Sequence, residues 1–132
     1  MSISVTPEQF AKDHLSRLNA RQREAVLAVD GAVLLLAVPG SGKTTVLVTR
    51  LGYMLCCCSI PADKILTMTY TKAATREMRQ RFARLFGEDC PQVPEFRTIN
   101  GVSSKIIDFY ARVRGNGNAF TLMENEVELA KL

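Results

Sequence analysis

With 132 residues, 17 Lys plus Arg against 13 Asp plus Glu and a net charge of +4, the chain has room for one domain with one core and too little for two ordinary ones. The cationic excess permits an anionic partner, nucleic acid included, without requiring one. The N-terminus MSISVTPEQF has neither a basic n-region nor an apolar h-region, and no apolar run nears the ~18 residues of a membrane span, so a soluble, cytoplasmic protein with no membrane partner is expected.

Thr6-Pro7-Glu8-Gln9 reads as an N-cap, a proline at the first helical position and a capping-box glutamine, which predicts a short helix to about Leu18. Asn19 caps a second helix with Gln22 three residues on and Ala25, Val26 and Val29 as its apolar stripe, ended by the Asp30-Gly31 turn. Ala32 to Val38 is a continuous apolar run between turn residues, the pattern of a strand buried on both faces of a parallel sheet. A helix with Val46, Leu47, Leu51, Met54 and Leu55 at helical spacing follows, ended by Ser59-Ile60-Pro61.

Ile65 to Tyr70 predicts the next strand, and Thr71 caps a helix from Lys72 to Phe86 that Gly87 stops. Pro91 and Pro94 bound a loop, Glu95 to Ile99 predicts a third strand, and Val102 to Val113 a helix that breaks at Gly115-Asn116-Gly117-Asn118. A last helix starts near Thr121, with Glu124 completing a capping box. Strand and helix alternate, so the predicted fold class is α/β, a parallel sheet flanked by helices.

Cys56, Cys57 and Cys58 are consecutive and Cys90 stands alone, with no CxxC spacing, and His14 is the single histidine. A zinc site is excluded on that inventory, and consecutive helical residues point about 100° apart, so the triplet cannot face one ligand. Four reduced thiols packed as small hydrophobes are expected.

The stretch AVPGSGKTT comprises Ala37, Val38, Pro39, Gly40, Ser41, Gly42, Lys43, Thr44 and Thr45. A helix N-terminus offers unpaired N–H groups and the positive end of its dipole, so a glycine-rich turn feeding it wraps phosphate oxygens. Gly40 and Gly42 supply the open backbone, Lys43 reaches the β and γ phosphates of ATP, and the Thr44 hydroxyl sits on Mg²⁺. The general pattern GxxxxGK[ST] has Gly where this chain has Ala37, and no third glycine follows Gly42 at the required spacing, which excludes a dinucleotide fingerprint. The competing reading is a tight strand-to-helix turn that happens to hold Gly and Lys. A working NTPase also needs a strand-end acid for the metal. AVLAVD, ending in Asp30, reads better as helix, and KIID, ending in Asp108, lies on a helical stripe, so the sequence looks unfinished.

LNARQREAV, Leu18 to Val26, resembles the Q motif of the UvrD/Rep/PcrA-type superfamily 1 DNA helicases. AVPGSGKTT is similar to their motif I, in which Ala is usual at the position of Ala37. ILTMTYTKAATREM, Ile65 to Met78, resembles motif Ia, and RTINGVSSKII, Arg97 to Ile107, the threonine-led motif after it. Val38 stands where Gly is common, Tyr70 where Phe is common, Lys72-Ala73 where Asn-Lys is frequent, and Asn100 where His is frequent.

The resemblance implies a RecA-like P-loop NTPase sheet, incomplete here, with 1–112 as the N-terminal part of ATP-binding domain 1A and 113–132 as the start of the helical insertion 1B. The family's DExxQ motif, which supplies the metal acid and catalytic Glu, is absent from the sequence, so a piece of a larger helicase is expected, inactive in isolation. Its implied activity is ATP-dependent 3′ to 5′ unwinding of duplex DNA, in repair or replication. Single-stranded or partly duplex DNA and the remaining helicase domains are its implied partners.

Gln22 would recognise adenine in that family. Its amide donates and accepts as the N6/N7 edge demands, while the residues alone are equally met by a capping box. Tyr70 and Thr71 end a strand where ligands of open sheets collect, and Tyr70 offers a ring for base stacking or for the core. Lys72 begins a helix with Arg76, Arg79, Arg81 and Arg84, either a solvated face with Glu77 pairing to Arg81 or a phosphate contact at its N-terminal end. Thr98 and Asn100 are DNA-backbone contacts by resemblance only. A small P-loop kinase and a non-enzymatic nucleotide- or DNA-binding module are the alternative functions. Because the family's missing strands flank the phosphate-loop strand, Ala32 to Val38 is expected to have an unpaired edge, covered by dimerisation, strand exchange or a neighbouring chain.

Overall fold

The computed structural model describes residues 5–90 and 92–115. The helix expected near Thr121, and nearly all of the segment 113–132, lie outside them. In chain order the elements are α1 (Pro7–Asp13), α2 (Ala20–Leu27), α3 (Lys43–Cys56), β1 (Leu66–Thr69), α4 (Lys72–Phe86), β2 (Glu95–Thr98) and α5 (Ile99–Val113), with 3-10 turns at Leu15–Arg17 and Ala62–Lys64.

The caps read from the sequence form, except that Gln9 donates its side-chain amide to Asp13 Oδ2 at 2.6 Å instead of closing a box with Thr6. The Thr6 side chain accepts from Gln9 N, and Asn19 and Gln22 close a reciprocal capping box. Thr71 accepts from Ala74 N at 3.1 Å and Thr98 from Gly101 N at 3.0 Å, so α5 starts at Ile99, three residues before the expected Val102. Gly87 ends α4 with φ −62°, in the right-handed region, and an added Cβ would stand 2.4 Å from Ala83 O.

β1 and β2 pair in parallel with Leu66 opposite Glu95 and Thr69 opposite Thr98, and α4 crosses between them. This is a mixed helix and strand fold whose sheet, among the described residues, has these two strands. The expected strand over Ala32 to Val38 is not formed. The segment joins no ladder, and Leu34 and Leu36 are each 83% exposed. A buried parallel strand needs a hydrogen-bonded neighbour on each side, and among the described residues this segment pairs with none.

The core lies under the helices. Phe10, Val26, Val48, Phe82 and Phe86 are almost fully buried, and the rings of Phe10 and Phe86 stack with centroids 5.8 Å apart. α3 meets α4 where Gly52 faces Phe86. A Cβ there would stand 2.5 Å from the ring, so only glycine allows this approach. Cys56 and Cys90 are joined as a disulfide across 6.5 Å between Cα atoms, tying the last turn of α3 to the segment after α4. Two of the four expected thiols are thus oxidised, because folding brings together residues 34 positions apart, while Cys57 and Cys58 are free. No helix of the described residues is long and apolar enough to cross a membrane.

Candidate nucleotide and nucleic-acid site

The turn before α3 has the backbone that its glycines allow. Gly40 has φ +79° and Gly42 φ +81°, both left-handed, and Ser41 N donates to Val38 O at 3.2 Å to close the loop. Gly42 is the N-cap of α3 and supplies no side-chain cap, so the N–H groups of the first turn stay available. Among the described residues no atom lies within 4 Å of a Cβ built on Gly40, and Ser41 Oγ is buried without a partner. An uncapped helix head, an open glycine face and an orphaned hydroxyl fit an anionic oxygen group.

Lys43 is exposed at the head of α3, its ammonium 3.4 Å from Ala37 O. Thr44 and Thr45 are half-buried in the first turn, Ala37 is half-buried, and Val38 and Pro39 are exposed beside the loop. Gln22 serves two ends at once. Its Oε1 accepts from Asn19 N at 3.0 Å, and its Nε2 donates to Ser41 O at 3.0 Å. The capping box is therefore formed, and the other end of the Gln22 amide is held by the loop. Arg50 reinforces this placement by donating to Ala25 O at 2.6 Å, fastening α2 to α3.

A magnesium ion finds less here. Thr44 contributes one hydroxyl, and no cluster of three His, Cys, Asp or Glu side chains exists among the described residues. Asp30 lies exposed in a turn and Asp108 exposed on α5, so neither is a strand-end acid.

A second site lies at the C-terminal ends of the two strands. Lys72, Arg76, Arg79, Arg97 and Thr98 line a cleft of ≈ 300 Å³ between α4 and α5. Arg79 donates to Phe96 O at 3.1 Å, and Arg97 pairs with Glu95, which Lys105 also contacts at 2.7 Å. These two donors hold the Glu95 carboxyl below its usual range. Lys72 and Arg76 make no ion pair among the described residues and remain the free cations of the cleft.

Tyr70 is 90% exposed beside it, so its ring does not belong to the core of this chain. Thr71 and Thr98 both spend their hydroxyls as N-caps, and Asn100 is exposed on α5 outside the cleft lining. The fold brings Lys72 and Thr98, each expected separately from the sequence as a DNA contact, to one cleft, with Arg97 as a neighbour that the sequence reading does not expect there. The parallel register that sets Met68 beside Arg97 is the signal that finds it.

Geometry alone defines a glycine turn at an uncapped helix head, with a basic cleft on the same mixed helix and strand scaffold. Residues 18–132 match the family model of the UvrD/REP helicase N-terminal domain. The chain is 34% identical over 122 residues to the ATP-dependent DNA helicase UvrD1 of Mycobacterium leprae, covering 90% of this chain and 16% of that protein. It is 32% identical over 111 residues to the ATP-dependent DNA helicase PcrA of Leuconostoc citreum, covering 84% and 15%. To PcrA of Staphylococcus aureus it is 33% identical over 110 residues, covering 83% and 15%. The chain belongs to the UvrD/Rep helicase family, and it spans about one sixth of the length of these relatives.

Proposed function

We propose that the chain is the ATP-binding N-terminal portion of an ATP-dependent 3′ to 5′ DNA helicase, with 1–112 belonging to a RecA-like P-loop domain 1A and 113–132 opening the insertion 1B. One observation carries this reading: the left-handed Gly40 and Gly42 feed an uncapped helix whose first residue is Lys43.

Backbone N–H groups from Gly42 to Thr45 donate to phosphate oxygens, and the Lys43 ammonium leaves Ala37 O to neutralise the β and γ phosphates. Ala37, Val38 and Pro39 form the approach to this cradle. Thr44 would hold Mg²⁺, whose charge would offset that of the phosphates. Bound ATP supplies the phosphoanhydride whose hydrolysis drives movement. Gln22 Nε2 sits against the loop and turns to the adenine edge when nucleotide binds.

In the cleft, Lys72 and Arg76 neutralise phosphates of a single strand beside Thr98; outside the cleft lining, Asn100 contacts its backbone, and the exposed Tyr70 ring stacks on a base for about 1–3 kcal/mol. The metal acid and the catalytic Glu come from the remainder of the polypeptide, so this portion by itself hydrolyses ATP negligibly. The bare run Ala32 to Val38 becomes a paired strand through that remainder, or through dimerisation or strand exchange in the isolated portion. A dilute isolated chain that sediments as a monomer with one cooperative melt would contradict the association.

The test of function is ATP turnover by the full-length polypeptide with and without single-stranded DNA. DNA-stimulated hydrolysis that disappears in Lys43→Ala is expected. Phosphoryl transfer to a small acceptor, or nucleotide binding with no turnover, would replace the helicase reading by a kinase or a binding module.

A further inference from the structure

The first turn of α3 carries the phosphate-loop residues, and the first turn of α4 carries Lys72 at the basic cleft. Arg81 lies further along α4 on the side that meets α3. Its Nη1 donates to Thr45 Oγ1 at 3.1 Å and its Nη2 to Glu77 Oε1 at 3.0 Å. One rigid fork therefore joins the residue next to Thr44 to a carboxylate of α4, across 36 positions of sequence. The third nitrogen, Nε, is buried and has no partner among the described residues.

Further along the pair, Gly52 and Phe86 are already at contact, so the two helices cannot close any further there. The disulfide at Cys56 fastens that same end. Thr45 is thus the point through which a shift of the head of α3 would reach Arg81. A buried donor without a partner demands a reason, and a fork that shifts between two arrangements supplies one.

We propose that Arg81 is a positioning residue that couples occupancy of the phosphate loop to the basic cleft by tying the first turn of α3 to α4. This rests on the nucleotide and nucleic-acid reading above. Linkage makes the coupling reciprocal: nucleotide changes affinity for a strand by the factor by which the strand changes affinity for nucleotide.

The experiment measures anisotropy of a labelled oligothymidylate on the full-length polypeptide, with and without a magnesium-bound non-hydrolysable ATP analogue. In the unsubstituted protein the two Kd values should differ by about fivefold or more. Arg81→Gln should bring their ratio close to one while each ligand alone still binds. Arg81→Lys, with one ammonium for two acceptors, should fall between. An unchanged ratio in Arg81→Gln overturns the proposal. So does a parallel loss of both affinities at constant ratio with a lowered melting temperature, which marks a purely structural residue. An unsubstituted protein that binds both ligands with a ratio of one overturns the coupling alone, whereas one that takes up no nucleotide overturns the reading on which it rests.

Discussion

Two apolar runs of similar length meet different fates in this chain. Ile65 to Tyr70 places Leu66–Thr69 in a parallel ladder with β2 and packs under α4, whereas Ala32 to Val38 stays unpaired with Leu34 and Leu36 exposed. Composition does not separate them, since the second run is the more apolar. The difference is the partner: a strand exists only as a pair, and β1 finds one 29 residues on, Leu66 opposite Glu95, in the same chain.

The packed region breaks most easily at its centre. Phe86→Ala removes the ring that Gly52 and Phe10 enclose and should cost about 3–5 kcal/mol, read from urea unfolding by circular dichroism. Next come the caps of the helices that flank the sheet. Thr71→Ala and Thr98→Ala each free one backbone donor and should cost about 1 kcal/mol in the same measurement.

A pH scan probes the packed region more gently. His14 stands between Phe10 and Phe86, 4.8 and 4.6 Å from their ring centroids, and burial lowers its pKa from the ordinary 6.5, outweighing the carboxylates of Asp13 and Asp89. The unfolded chain therefore takes up the proton first as pH falls. The contribution of the neutral ring is full above 6.5 and is lost as pH drops through the lower folded value. The melting temperature should fall between pH 7.5 and 5.5, and His14→Gln should flatten that slope. At the other extreme, Leu34→Ser with Leu36→Ser should change the stability of this chain by less than about 0.5 kcal/mol in thermal denaturation, because neither side chain is packed. A large loss from that pair would mean that the run is already covered.

The sequence makes the local structure legible where the signal is local. Thr6 before Pro7, Asn19 with Gln22, and Thr71 before Lys72 each announce a helix start that the structure realises. Gly40, Gly42 and Lys43 announce the loop, and its left-handed backbone is present. What stays illegible is long-range. The Arg81 to Thr45 bond, the Cys56 to Cys90 bridge and the meeting of Arg97 with Lys72 depend on how elements cross. Reading Glu77 and Arg81 as a helix-surface pair catches the 3.0 Å contact and misses the bond to Thr45, because helical spacing carries no information about a neighbouring helix.

Calorimetric titration of magnesium-ATP into the full-length polypeptide, beside its Lys43→Ala form, tests most directly that the head of α3 grips the nucleotide. Uptake at one site, weakened at least about tenfold when the Lys43 ammonium is removed, is the predicted result. Absence of uptake, or equal affinity in the two forms, would contradict it.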